Sequence, residues 1–443
     1  MKFHRVSRLA GTVTVPGDKS ISHRAVMFGS LARGKTEIQG FLPGADCLST
    51  IGCFRAMGIP ITQSGDRVTV EGRGLRGLSP AGSTSGVLHL DTGNSGTTTR
   101  LISGILAAQN FRTVLSGDDS LNKRPMNRII RPLRLMGAEI RSGRGDGCPP
   151  LIIDGRPLHG IRYTSPVASA QVKSSILLAG LYADGETSVH EPALSRDHSE
   201  RMLSAFGAEL STRILGDGSA EITIHPAEEL HAQQITVPGD ISSAAYFLAA
   251  GCIVPGSEIL IRNVGVNPTR AGILHVLQRM GADLTVENAR VSSSEPVADL
   301  RVKYGPLRGT EIGGAEIPTL IDEIPVIAAA ACFAEGTTVI RDAAELKVKE
   351  SDRIAVMTEV LSAMGADITP TEDGMVISGH GAAGASSSPL RGAAVDSHKD
   401  HRVAMSCAVA AMAASGETDI RDASCVDISY PGFYSDLLKL ADH

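Results

Sequence analysis

Six times along the chain, an Ala/Leu-rich helical end, a tight turn and a β-like run follow one another at intervals of roughly 70–80 residues. The copies start at Leu31, Leu106, Leu181, Cys252, Cys332 and Met412. Between them recurs a helix that ends in Met-Gly or Phe-Gly and runs into a strand, as at Met57, Met136, Phe206, Met280 and Met364. Glycine after the last helical turn takes the left-handed conformation that other residues resist. Each unit therefore holds at least two helices and the strands that follow them. Three units per half predict two pseudo-equivalent α/β domains. The segment Val-Thr-Val-Pro-Gly-Asp-Lys-Ser (13–20) returns as Ile-Thr-Val-Pro-Gly-Asp-Ile-Ser (235–242), without the lysine. This sets the expected boundaries: a first domain of 17–237, a second of 1–16 with 238–443, and a hinge near 16–17 and 238–239. Two crossovers at one junction suit a hinge.

A chain of 443 residues fits two such domains. Aromatic residues make up only 3 % and Trp is absent, so Leu, Ile, Val, Ala and Met must fill the cores. The net charge of −6 argues against a nucleic-acid binder with a broad basic face. The seven cysteines form no C-x-x-C pair and read as buried free thiols in a reducing compartment. No signal-peptide core follows the first residues, and the apolar runs Ile324–Ala334 and Val403–Ala414 are too short for a membrane span. The expectation is a cytoplasmic protein without a membrane or nucleic-acid partner. The match of Gly29–Thr36 to the P-loop pattern is discounted, because it closes a helix and opens a strand, the reverse of what phosphate cradling needs.

Candidate chemistry gathers where helices begin. Lys19, Ser20 and Arg24 sit where the strand broken by Pro16-Gly17 hands over to a helix capped by Asp18 or Ser20, a favourable anion site. Gly93–Arg100 reads as a small-residue turn before a helix at Leu101–Ala108, with glycines that admit a ligand close to the backbone. Lys-Arg-Pro (123–125) puts Arg124 at a helix start, unfavourable for a cation unless an anion is present. Ser169 can cap the next helix, with Gln171 and Lys173 able to reach a ligand; Arg196 precedes another helix. In the second half, Asp322-Glu323 leads a strongly apolar helix. Lys347–Arg353 and Asp396–Arg402 are dense charge runs. A single such run is usually a solvated face. If these helix starts converge between the halves, they line one cationic cleft for phosphates and carboxylates, and ligand binding draws the halves together. No metal-ligand spacing appears.

The combination Pro-Gly-Asp-Lys-Ser-x-Ser-His-Arg, Gly-Asn-Ser-Gly-Thr-Thr-Thr-Arg, Lys-Arg-Pro, Ser-Arg-Asp-His, Lys-Glu-Ser-Asp-Arg and Asp-His-Arg-x-Ala-Met resembles the EPSP synthase (3-phosphoshikimate 1-carboxyvinyltransferase) family over essentially the full length. The resemblance implies an α/β fold of two domains, each of three βαβαββ units, the inside-out α/β barrel of enolpyruvyl transferases. It also implies transfer of the enolpyruvyl group of phosphoenolpyruvate to the 5-hydroxyl of shikimate 3-phosphate, releasing phosphate, in aromatic amino acid biosynthesis. A monomer with no metal or organic cofactor is expected. By this resemblance the phosphoenolpyruvate contacts fall on Lys19, Gly96, Arg124, Gln171, Arg353 and Arg402. Those of shikimate 3-phosphate fall on Ser20, Arg24, Ser169, Gln171, Arg196, Asp322 and Lys349. Asp322 resembles the carboxylate that takes the hydroxyl proton and Glu350 the acid that protonates the methylene carbon. Lys19 stabilises the bridging oxygen or relays a proton.

The better-known sequence class has a serine and a lysine where this chain has Ala170 and Ile428. Arg196 resembles the second class, some of whose members tolerate glyphosate. That class often has alanine where this chain has Gly96, and glycine leaves room for the inhibitor, so glyphosate sensitivity is expected. The sister transferase acting on UDP-N-acetylglucosamine typically carries a reactive cysteine near the position of Lys123–Arg124, and here none lies between Cys53 and Cys148. Against a non-catalytic polyanion binder on this scaffold stands the joint presence of Lys19, Asp322 and Glu350. Against a P-loop phosphotransferase stands the reversed order of helix and strand around Gly29–Thr36.

Overall fold

The computed structural model describes residues 1–80, 86–381 and 388–442. They form two units. One comprises Gly17–Val237 with Ser292–Glu295; the other, the split unit, comprises Met1–Pro16, Pro238–Val291 and Pro296–His443. The four-residue turn 292–295 lies apart in sequence from the rest of its unit. It groups with the 17–237 unit because Ser293 Oγ accepts from the Thr236 amide and Glu295 meets His198.

One sheet pattern recurs three times in each unit, complete in five sheets and reduced to three strands in the sixth. Val87–Asp91 pairs in parallel with Arg112–Ser116, and Leu151–Asp154 then lies antiparallel between Arg112–Ser116 and Glu139–Ser142. The strands 162–164, 187–191, 220–224 and 210–214 repeat that order. With a helix between the parallel strands and another before the antiparallel pair, the block is βαβαββ. In the first sheet of the 17–237 unit, the parallel strand beside Ala32–Gln39 comes from the far end, Leu230–His231 and Gln234–Thr236. In the split unit, Arg8–Thr14 fills that place beside Glu258–Gly265. Lys2–His4 completes the sixth sheet against Glu417–Arg421. This explains why the sixth copy lacks the Met-Gly cap: its closing antiparallel strand comes from the start of the chain.

In the 17–237 unit the helix pairs are α1 (Lys19–Leu31) with α2 (Ala45–Ala56), α3 (Gly96–Leu106) with α4 (Asn127–Leu135), and α5 (Ala170–Gly180) with α6 (His198–Ala205). In the split unit α7 (Ile241–Ile253) and α8 (Gly272–Arg279) come first. The short α9 (Ile317–Leu320), α10 (Ile324–Ala331) and α11 (Arg353–Ala363) follow, then α12 (His401–Ala413) and α13 (Phe433–Lys439). The first helix of each block is buried on nearly every side: α1, α3 and α5 in one unit, α7, α10 and α12 in the other. Helices apolar all round belong in a core, and here the sheets form the outside. Small residues permit the close packing. A Cβ on Gly104 of α3 would lie 2.1 Å from the Ser175 carbonyl oxygen of α5. Gly29-Ser30-Leu31 closes α1 and Ala32 opens a strand, the reverse of a P-loop. No helix among the described residues is long and apolar enough to cross a membrane. Five of the seven free cysteines are buried; Cys148 and Cys425 are only half-buried, a correction to the expectation for all seven.

Candidate active site

In the 17–237 unit the Asp18 carboxylate caps α1 by accepting from the Ile21 amide (2.9 Å), which leaves Lys19 as the first helical residue. Its ammonium pairs with Asp46 of α2 at 3.2 Å. Arg24, one turn further on, is buried, and among the described residues every group that accepts its hydrogen bonds is neutral. They are the Ser20 carbonyl (3.0 Å), Ser199 Oγ (2.7 Å) and Ser174 Oγ (2.9 Å). Burial, opposed by Glu200 and Asp18 and aided by the nearby Arg196, lowers its pKa to about 10. That is a guanidinium lacking the counter-charge its burial demands.

The second cluster of this unit surrounds the start of α3. This helix begins at Gly96, capped by Ser95, five residues before the Leu101 start expected from sequence. The Ser95 hydroxyl, accepting from the Thr98 amide, reaches helix donors that the chain pattern left unassigned. Gly96 is thus in the first helical turn, and a Cβ there would lie 2.8 Å from Arg100 Nη1 and 3.5 Å from Arg124 Nη1. Arg124 does not start a helix. It closes the turn Leu121–Lys123, three residues before α4, and donates to the Asn94 carbonyl (3.2 Å), Asn94 Oδ1 (2.6 Å) and Ser120 Oγ (3.2 Å). Gln171 accepts from Arg100 Nη1 at 2.6 Å and donates to Thr97 at 3.0 Å. Ser169 sits at the N-cap of α5, but its hydroxyl makes no capping bond. Lys173 cannot reach a ligand as expected: it is fully buried, paired with Glu191 (3.2 Å) and Glu200 (2.7 Å). Arg196 does lie just outside α6.

The split unit differs in that its buried arginines face carboxylates. Arg353, at the start of α11, is 1 % exposed and meets Asp400 (2.9 Å), Glu350 (2.7 Å) and Asp322 (3.4 Å). Lys349 lies 3.6 Å from Asp322. Arg402, near the start of α12, lies 3.8 Å from Glu323, which Arg270 also meets at 3.0 Å. Burial alone would release the proton of Arg353 or Arg402 more easily; the surrounding carboxylates outweigh it and raise both pKa values. Asp400 caps α12 through the Arg402 amide and is held ionised by Arg353 despite its burial.

Sequence reasoning singled out neither Asp46 nor Arg270, and it named Arg100, Glu323 and Asp400 only within longer runs, without their partners. Arg100 was legible as the last residue of Gly-Asn-Ser-Gly-Thr-Thr-Thr-Arg. A hint of Arg270 lay in the second Pro-Gly-Asp segment, which lacks a lysine: Arg270 binds that segment's Asp240 at 3.2 Å. Cys148, the next cysteine along the chain after Cys53, is beside Lys123. Its Sγ lies 3.4 Å from the Lys123 carbonyl oxygen, yet burial and Asp146 raise the thiol pKa, so it is not an activated nucleophile.

A family model described as EPSP synthase (3-phosphoshikimate 1-carboxyvinyltransferase) matches residues 3–437. The chain belongs to the EPSP synthase family. It is 55 % identical to the 3-phosphoshikimate 1-carboxyvinyltransferase of Brevibacillus brevis over 442 residues, covering 100 % of both chains. It is 54 % identical to that of Geobacter sulfurreducens, covering 100 % of this chain and 99 % of that one. The EPSP synthase structure from Acinetobacter baumannii superposes with a TM-score of 0.87 at 47 % identity, over 99 % of this chain and 98 % of the other. The enolpyruvyl transferase NikO from Streptomyces tendae, 20 % identical, shares the fold with a TM-score of 0.77 over 100 % and 97 % of the two chains. The two units are therefore the inside-out α/β barrels of this fold. As an EPSP synthase, the chain transfers the enolpyruvyl group of phosphoenolpyruvate to shikimate 3-phosphate in the shikimate pathway. The sister transferase, the P-loop enzyme and the non-catalytic binder are set aside.

Proposed function

We propose that both units hold the anionic substrates and that the split unit supplies the carboxylates for proton transfer. In the 17–237 unit, Ser20, Arg24, Ser169, Gln171 and Arg196 hold shikimate 3-phosphate, while Lys19, Gly96, Arg124 and Gln171 hold phosphoenolpyruvate. The split unit adds Asp322 and Lys349 to the first substrate, Arg353 and Arg402 to the second. Together the substrates bring about four to five negative charges. The observation that carries the reading is the contrast in partners. Arg24 and Arg124 hydrogen-bond only neutral oxygens, whereas Asp322 and Glu350 both contact the buried Arg353.

Asp322 accepts the proton of the 5-hydroxyl as its oxygen attacks C2 of phosphoenolpyruvate. Glu350 donates its proton to C3, which becomes a methyl group, and the adduct is a tetrahedral intermediate that keeps both phosphates. Fixed cations stabilise it. Glu350 then takes a proton back from the methyl group, the C2–O bond to phosphate breaks with its electron pair going to that oxygen, and Lys19 neutralises the leaving group.

Phosphate release and deuterium exchange at C3 of phosphoenolpyruvate in D2O test this scheme. In Glu350→Gln both should fall by about 10²-fold or more while shikimate 3-phosphate still binds. Turnover within about threefold of the parent would refute the role.

Glyphosate inhibition belongs to the same reading. A Cβ at Gly96 would crowd Arg100 and approach Arg124, so Gly96→Ala should raise the glyphosate inhibition constant more than the KM for phosphoenolpyruvate. Equal rises would refute a specific steric effect. The reading further takes the protein as a cytoplasmic monomer. Its seven free thiols support a reducing compartment, and a sedimentation profile tests the monomer.

A further inference from the structure

Glu191 ends the strand Thr187–Glu191 and is fully buried, as is Lys173 on α5. A buried carboxylate is costly unless its acceptor positions are filled. Here the donors filling them come from two separate loops. The Ser169 amide donates to Oε1 at 2.8 Å. From the other loop, the Ser195 amide donates to Oε2 at 3.2 Å, and the Ser195 hydroxyl lies 2.7 Å and 2.9 Å from the two oxygens. Lys173 pairs with Glu191 at 3.2 Å and donates to the Ser195 carbonyl at 3.1 Å. It also meets Glu200 of α6 at 2.7 Å. Neither glutamate nor the lysine has a place in the chemistry above.

What these loops carry is informative. Ser169 and Arg196, next to Ser195, are two of the groups assigned to shikimate 3-phosphate. The residues following Lys173 and preceding Glu200 are Ser174 and Ser199, whose hydroxyls hold Arg24 and lie 2.6 Å from one another. One buried ionic knot therefore fixes the starts of α5 and α6, and with them three separate groups for one substrate.

We propose that Glu191, charge-balanced by Lys173, is a positioning residue for shikimate 3-phosphate binding. This rests on the assignment of Ser169, Arg24 and Arg196 to that substrate. The carboxylate sets the spacing between the Ser169 and Arg196 loops. An amide in its place can accept at one atom only and presents its N–H₂ to donors at the other.

The test is titration calorimetry with shikimate 3-phosphate, together with separate KM values for the two substrates. Glu191→Gln should weaken shikimate 3-phosphate about tenfold or more and change the KM for phosphoenolpyruvate less than about twofold. Glu191→Asp should recover part of the loss, because the charge is kept. Ser195→Ala removes one hydroxyl donor, leaves the backbone amide, and should weaken the same substrate about threefold; it decides the matter if Glu191→Gln does not fold. A merely structural role would lower the amount of active enzyme and leave both KM values unchanged, and that result overturns the proposal. Arg24→Gln serves as the control. If it weakens shikimate 3-phosphate while Glu191→Gln and Ser195→Ala do not, the positioning role is wrong and the site assignment stands. If none of them does, the assignment itself is wrong.

Discussion

Arg24 and Arg353 are both buried arginines at the start of a helix or one turn into it, yet their surroundings are opposite. Arg24 leans on serines and a carbonyl; Arg353 is wrapped by three carboxylates. Both were legible as candidates from the motifs that contain them. Their distant partners were not, because Arg24 meets Ser174 and Ser199 across 150 and 175 residues of chain, and Arg353 meets Asp400 across 47. Between Lys19 and Arg24 sits His23, wholly buried, its Nδ1 2.7 Å from Thr50 Oγ1. Burial first, then the charges of Lys19 and Arg24, hold its pKa well below 6.5. The unfolded chain takes up a proton near 6.5 and the folded one does not, so this residue costs stability as the pH falls below 6.5. His198 acts in the opposite sense. Burial would lower its pKa, but Glu295 outweighs that and raises it, so its stabilisation is present below 6.5 and is lost as the pH rises through the folded value. Urea unfolding from pH 5 to 8 separates the two. Replacing His23 by Asn should flatten the acid side of the profile by up to about 1.4 kcal/mol per pH unit. Parallel profiles for the variant and parent would contradict the assignment.

Helix existence was readable from the repeat; helix beginnings were not. For α3 a serine hydroxyl moved the start five residues upstream of the apolar pattern, and for α4 the proline after Arg124 separated the cation from the helix. Cap hydrogen bonding decided the first, whereas α4 has no side-chain cap, and apolar periodicity carries no information about either. Glycines inside helices divide in the same way. On Gly104 an added methyl would collide with the α5 backbone, which cannot swing aside as a side chain can. Gly52 of α2 is exposed, with nothing within 4 Å of a new Cβ. Gly104→Ala should therefore destabilise by about 1–3 kcal/mol. By contrast, Gly52→Ala should stabilise by about 0.5–1 kcal/mol. Denaturant midpoints of the two variants check this, and a shift of the same sign in both would show that helix propensity rather than α3–α5 packing governs.

The buried apolar residues form two separate clusters, one in each unit. Calorimetric unfolding should accordingly resolve two transitions, with Gly104→Ala lowering that of the 17–237 unit and sparing the other. A single transition shifted as a whole would show that the units melt as one. The sixfold repeat made this bipartite plan readable, since each block reuses the same apolar spacing. What it hid was which strand closes which sheet, because pairing depends on register between segments far apart in sequence. The sixth sheet is the extreme case: Lys2 and Glu417, bonded to one another at its edge, are 415 residues apart. During synthesis at about 5–20 residues per second, the opening strand would wait ~20–80 s for its partner. Throughout that time an unpaired β-edge trails from the nascent chain while the intervening unit assembles. The order of manufacture thus runs against the order of assembly, and a strand made early is among the last to find its place.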